Sequence, residues 1–137
     1  MAQKVTVFGS FVVDLMARAP RLPVPGETVL GSFFKQGAGG KGFNQGIAAH
    51  KSGGDVTMIT KLGRDSLAAV ATDAMDSVGL SKDHLFYSDT EPTGVALISV
   101  DENTSQNEII IVPGACATIS DEDIASVAER IKESAYL

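Results

Sequence analysis

Eleven consecutive residues, Gln36-Gly37-Ala38-Gly39-Gly40-Lys41-Gly42-Phe43-Asn44-Gln45-Gly46, carry five glycines, one lysine, one asparagine and two glutamines. Glycine lets a backbone approach a ligand closely and turn where other residues are strained. Residues 47–51, directly after the run, read as helix. A glycine run that opens a helix leaves N–H groups free to donate. Lys41 and Asn44 add side-chain donors at the same place. The combination suits a polar ligand rich in oxygen.

Two phosphate motifs compete for this stretch. The phosphate loop G-x-x-x-x-G-K-[ST] fails, because its leading glycine would fall on Lys35 and Gly42 stands where a hydroxyl is needed. The dinucleotide fingerprint G-x-G-x-x-G is matched by Gly37, Gly39 and Gly42, with Asp55 at a fitting distance for the ribose-binding acid. That fingerprint should follow the first apolar strand directly. Here the first apolar strand is Val5-Thr6-Val7-Phe8, about thirty residues earlier.

A third pattern, G-G-K-G-x-N-Q, stands as Gly39-Gly40-Lys41-Gly42-Phe43-Asn44-Gln45. It does not stand alone. Val7-Phe8-Gly9-Ser10 with Asp14 precedes it, as does Leu22-Pro23-Val24-Pro25-Gly26-Glu27-Thr28. Gly63-Arg64-Asp65, Thr93-Gly94-Val95-Ala96 and Pro113-Gly114-Ala115 follow it. In this order, along nearly the whole chain, the motifs resemble those of the ribokinase (PfkB) family of sugar kinases.

The resemblance implies phosphoryl transfer from ATP and Mg2+ to a hydroxymethyl group of ribose or a related sugar, with a monovalent cation such as K+. It implies that Asp14 accepts hydrogen bonds from two sugar hydroxyls. Gly39 and Gly40 would offer backbone N–H groups, Lys41 its ammonium and Asn44 its amide. Ala96, Ile98 and Ile110 would form the apolar wall of a lid that keeps water from the reacting phosphoryl group. No second G-A-G-D signature stands in these residues. The family's catalytic base, anion hole and nucleotide site are therefore expected beyond Leu137, and no catalytic residue is assigned here. A homodimer through the lid sheets is also implied.

Two positions depart from the family pattern. Ribokinases carry an asparagine two residues before the site aspartate, where this chain has Val12. An apolar side chain there cannot donate the hydrogen bond, which bears on the substrate. Fructose or a nucleoside stays open as the acceptor, as does a sugar-binding fragment without catalytic power. Cys116 stands where many relatives have a polar residue.

Composition bounds these readings. A chain of 137 residues can bury one core, and its 44% hydrophobic and 20% charged residues fit a globular domain. A net charge of −6 without a basic cluster argues against a nucleic-acid surface. No apolar run approaches the roughly 20 residues that span a bilayer. Lys4 leads straight into the first strand, which leaves no room for a secretory leader. The single cysteine, Cys116, cannot form an internal disulfide. These features predict a cytoplasmic protein.

The elements that must position the motifs alternate strand and helix. The first strand covers 5–8. Residues about 12–18 and 28–36 read as two strands around a proline-rich loop. A helix over 46–52 leads to a strand over 55–60. Asp65 or Ser66 caps a helix that runs to about 78, with Leu67, Val70, Ala71, Ala74, Met75 and Val78 as its apolar stripe. Residues 84–87 form a short strand, with His50 and His84 as surface or packing residues. Strands at 94–100 and 107–112 form a hairpin. Ser120 caps a helix over 121–134, and 135–137 opens another strand. The fold class is α/β: residues 1–137 are the first half of a ribokinase-like three-layer α/β/α fold, with a small lid sheet from 12–18, 28–36, 94–100 and 107–112.

Overall fold

A computed structural model describes residues 3–137. Its elements run β1 (Lys4–Phe8), β2 (Val12–Ala19), β3 (Phe33–Gly39), α1 (Lys41–Lys51), β4 (Asp55–Gly63), α2 (Ala68–Asp76), β5 (Leu85–Ser88), β6 (Thr93–Asp101), β7 (Asn107–Gly114) and α3 (Asp121–Lys132). A 3-10 turn, Ala115–Thr118, joins the last two.

Three strands form a parallel sheet in the order β1-β4-β5. Strand β4 is the middle one, and Val56, Thr57, Met58, Ile59 and Thr60 are all buried. A run buried on both faces is what a central parallel strand covered by helices requires. Val56 and Met58 face α1, where Gly46 leaves room: a Cβ there would stand 2.9 Å from Met58 Sδ. Thr57 and Lys61, of the opposite parity, face α3. Arg130 Nε donates to Thr57 Oγ1 at 2.6 Å, and Lys61 Nζ donates to the Asp123 carboxylate at 2.7 Å. Helices thus cover both faces of the sheet.

Strand β1 is one edge of this sheet. At residues 135–137, expected to begin a further strand, Tyr136 forms a single parallel bridge to Val5 on that edge.

The second sheet has the order β3-β2-β6-β7. β2 pairs with β6 in parallel, and the outer pairs are antiparallel. The strand read at 28–36 is shifted: it runs Phe33–Gly39, because its ladder with β2 spans Arg18↔Phe33 to Val12↔Gly39. Residues 28–32 lie outside that ladder. The loop before them is fastened by the Arg21–Glu27 ion pair and by the Val24 N–H on Glu27.

Asp65 joins the two sheets. Its Oδ1 accepts the N–H groups of Leu67 and Ala68 at the start of α2, and its Oδ2 accepts the Thr93 N–H at the start of β6. Burial works to raise its pKa, but these donors outweigh burial and hold it below the usual carboxylate value. Ser120 caps α3 as expected, in a capping box with Asp123. Among the described residues no helix is long and apolar enough to cross a membrane.

Candidate functional site

The site grows from one strand-to-helix junction. Helix α1 begins at Lys41, five residues before the expected start, so the second half of the glycine run is already its first two turns. Gly40 is the N-cap at φ 96°, a backbone geometry that side-chain-bearing residues avoid. No side chain caps this helix. The N–H groups of Lys41 and Gly42 therefore stay open to a ligand, with the positive end of the helix dipole behind them. Phe43 anchors the junction: it is buried edge-on against Phe11, ring centroids 4.8 Å apart, and its N–H reaches Ser10 O. Lys41 and Asn44, on the same first turn, are exposed.

Asp14 lies across from this junction on β2. Its neighbours in the sheet are Gly37 on β3 and Ala96 on β6. The carboxyl group leans onto Gly39, where a Cβ would collide with all three of its atoms. Asp14 is half-buried, and burial raises its pKa above the ordinary carboxylate value. It is a carboxylate held in a partly dry place beside bare backbone, which suits it to accept hydrogen bonds from an arriving ligand. A cavity lined by Asp14, Met16, Lys35, Gly37, Ala38 and Ile98 opens in front of it.

Strand register decides which lid residues share this face. The row through Asp14 reads Gly37, Asp14, Ala96, Ile111; the next outward reads Lys35, Met16, Ile98, Ile109. Ala96 and Ile98 therefore share a face with Asp14. Ile110 does not. It pairs with Leu97, so it belongs to the opposite face with Val13, Leu15 and Val95. Side chains alternate along a strand, and Ile109 and Ile111 take the place expected for Ile110. Cys116 is elsewhere: its Sγ touches Phe11 O and Lys61 O, each at 3.2 Å, between the residue that precedes β2 and the end of β4.

An α/β sheet covered by helices thus stands beside a glycine-opened helix and a four-stranded sheet that bears Asp14. The pfkB family carbohydrate kinase profile matches residues 2–137. The chain belongs to that family. It is 39% identical to the deoxyribokinase of Salmonella typhi over 129 residues, 94% of this chain and 42% of that protein. It is 37% identical to the ribokinase of Mus musculus over 134 residues, 96% of this chain and 41% of that protein. Among solved structures, Arabidopsis thaliana ribokinase complexed with ribose and ATP superposes with a TM-score of 0.78 at 34% identity, over 93% of this chain and 43% of that one. Giardia lamblia ribokinase superposes at 0.83 with 26% identity, over 96% and 39%. The chain thus spans less than half the length of the relatives it matches.

Proposed function

We propose that this chain is the sugar-binding part of an ATP-dependent kinase that phosphorylates a hydroxymethyl group of ribose or a related pentose. One observation carries the reading: the half-buried Asp14 carboxylate lies directly on the Gly39 backbone, beside a helix start that has no side-chain cap. A carboxylate accepts sugar hydroxyls, while the N–H groups, Lys41 and Asn44 donate to sugar oxygens and to charge that develops during transfer. The relatives at 30% identity or more include ribokinases and deoxyribokinases. The fructokinase and nucleoside kinase likenesses lie at 20–22% and support the fold alone. A pentose is therefore the favoured acceptor.

The four-stranded sheet acts as the lid in this reading. Its Asp14 face, with Ala96, Ile98, Ile109 and Ile111, closes over the sugar and excludes water. The opposite face leaves Phe34, Leu97, Ile110 and Val112 exposed at 64%, 46%, 64% and 47%. So much wet apolar surface on one small sheet fits packing against the lid of a second copy.

In this reading ATP would supply the phosphoryl group, and Mg2+ would neutralise its charge. Among the described residues no three metal-ligating side chains cluster. On the resemblance of the motifs we place the nucleotide, its Mg2+, a K+ site and the catalytic base outside residues 1–137. The free Cys116 agrees with a cytoplasmic setting. Calorimetric titration of this chain with ribose and 2-deoxyribose tests the reading. Saturable binding of one pentose, lost in Asp14→Asn with the circular dichroism unchanged, is expected. No binding of either sugar, or full binding by Asp14→Asn, refutes it.

A further inference from the structure

We infer that Asp65, which hydrogen-bonds to no residue of the sugar site proposed above, is a positioning residue for that site, an inference that rests on the proposed function. The chain passes between the two sheets four times: after β1, after β3, before β6 and after β7. The first two passages meet at one joint beside α1. There the Phe43 N–H donates to Ser10 O at 3.3 Å, and a Cβ on Gly9 would stand 2.8 Å from Gly42 Cα. The other two meet at a second joint built around Thr93, which is 2% exposed. The Thr93 N–H donates to Asp65 Oδ2 at 2.7 Å, and Thr93 Oγ1 accepts the Gly63 N–H at 2.9 Å. Pro92 O accepts the Ala115 N–H at 2.8 Å, which ties the end of β7 to the start of β6. No Cβ fits at Gly63 or Gly114, where the backbone of Thr93 and of Pro92 lies too close.

The four laddered strands move as one body, so the two joints together set the tilt of that sheet against the core. A bound sugar has to meet both parts at once: Asp14, Ala96 and Ile98 belong to the sheet, whereas Lys41 and Asn44 belong to α1. Asp14 is on β2, close to the first joint. Ala96 lies three residues beyond Thr93, about 10 Å along the strand from the second. At the second joint the bond to Asp65 is the charge-assisted one, about twice as strong as its neutral neighbours. The two carboxylate oxygens divide the work. Oδ1 caps the start of α2 through Leu67 and Ala68, and Oδ2 alone holds β6. Without Oδ2 the buried Thr93 N–H has no partner, and that joint loosens. The sheet then turns about the first joint, and Ala96 and Ile98 shift most relative to the donors of α1.

Asp65→Asn and Asp65→Ser separate the two tasks. Each keeps an oxygen suited to cap α2 and removes the acceptor for Thr93. Amide NMR spectra and hydrogen exchange read the joint, and calorimetry with D-ribose and 2-deoxy-D-ribose reads the site. In both variants we expect faster exchange of the Thr93 amide and shifted resonances for Gly94, Val95 and Ala96, with Leu67 and Ala68 little changed. Affinity for whichever pentose the wild type binds more tightly should fall about 2- to 30-fold. A residue that only caps α2 would lower the melting temperature and leave the affinity of the folded chain as it was. Wild-type affinity in both folded variants therefore overturns the inference and leaves the sugar site intact. Loss of folding in both makes Asp65 structural and overturns it too. Failure of both sugars to bind the wild type removes the sugar site and this inference with it.

Discussion

Replacing Gly39 by alanine tests the site without removing any of its polar groups. The added methyl lands on Cγ, Oδ1 and Oδ2 of Asp14, so the two cannot coexist as they stand. Asp14 is half-buried and sits at the end of a short side chain, so its carboxyl group swings outward and the backbone stays. Folding should therefore suffer little, about 1 kcal/mol. Sugar binding should suffer more, because hydrogen bonds to a charged acceptor are worth about 1.5–3 kcal/mol. That predicts a loss of affinity of about 10- to 150-fold. Gly40→Ala is the control with the opposite signature. Its φ of 96° and the Ser10 carbonyl beside it leave no relief for a Cβ, since the obstacle is backbone. The cost falls on folding, at about 2–4 kcal/mol. Calorimetry for affinity and thermal melting for stability separate the two. A folded Gly39→Ala chain that binds sugar like the wild type would show that Asp14 is not the anchor.

Three further outcomes follow from the same geometry. Lys41→Ala and Asn44→Ala should each weaken sugar binding and change stability by less than about 0.5 kcal/mol, as both side chains are exposed; unfolding of both in a thermal melt would make them structural. Burial raises the pKa of Asp14, and the hydroxyl-accepting form is the ionised one, so affinity should be complete at neutral pH and decline as pH falls through that raised value. The decline should begin at a higher pH than an ordinary aspartate would give, and an affinity flat down to pH 3 would contradict it. For the lid face, Ile110→Lys should convert a homodimer into monomers in sedimentation, and wild type already monomeric at micromolar concentration would sink the dimer.

The parts of this site that reside in one short stretch could be read from the sequence. The glycine run, Lys41, Asn44 and the lone carboxylate of Asp14 announce themselves by type and spacing. The parts that depend on pairing could not. Whether Ile110 or its two neighbours face Asp14 is a question of parity, fixed only when Leu97 is seen opposite Ile110. The early start of α1 was hidden because glycines at 40, 42 and 46 are poor helix formers, and tertiary anchoring by Phe43 overrides that preference. The strand placed at 28–36 slipped because extended chain reads alike with or without a partner. Its β2 ladder supplies the boundary at Phe33.

The parallel pairing of β2 with β6 also governs when the site comes into being. Between those strands the chain must lay down β3, α1, β4, α2 and β5. Closing so long a segment costs entropy before any contact is gained, so the pairing belongs late in folding. Until it forms, Asp14 has no Ala96 beside it. A nascent or partly unfolded chain would thus be blind to sugar. The ligand then binds the native state alone, and at 100 times its dissociation constant it would stabilise the fold by about 2.7 kcal/mol. On the function proposed above, sugar would act as a thermodynamic stabiliser of the site it occupies.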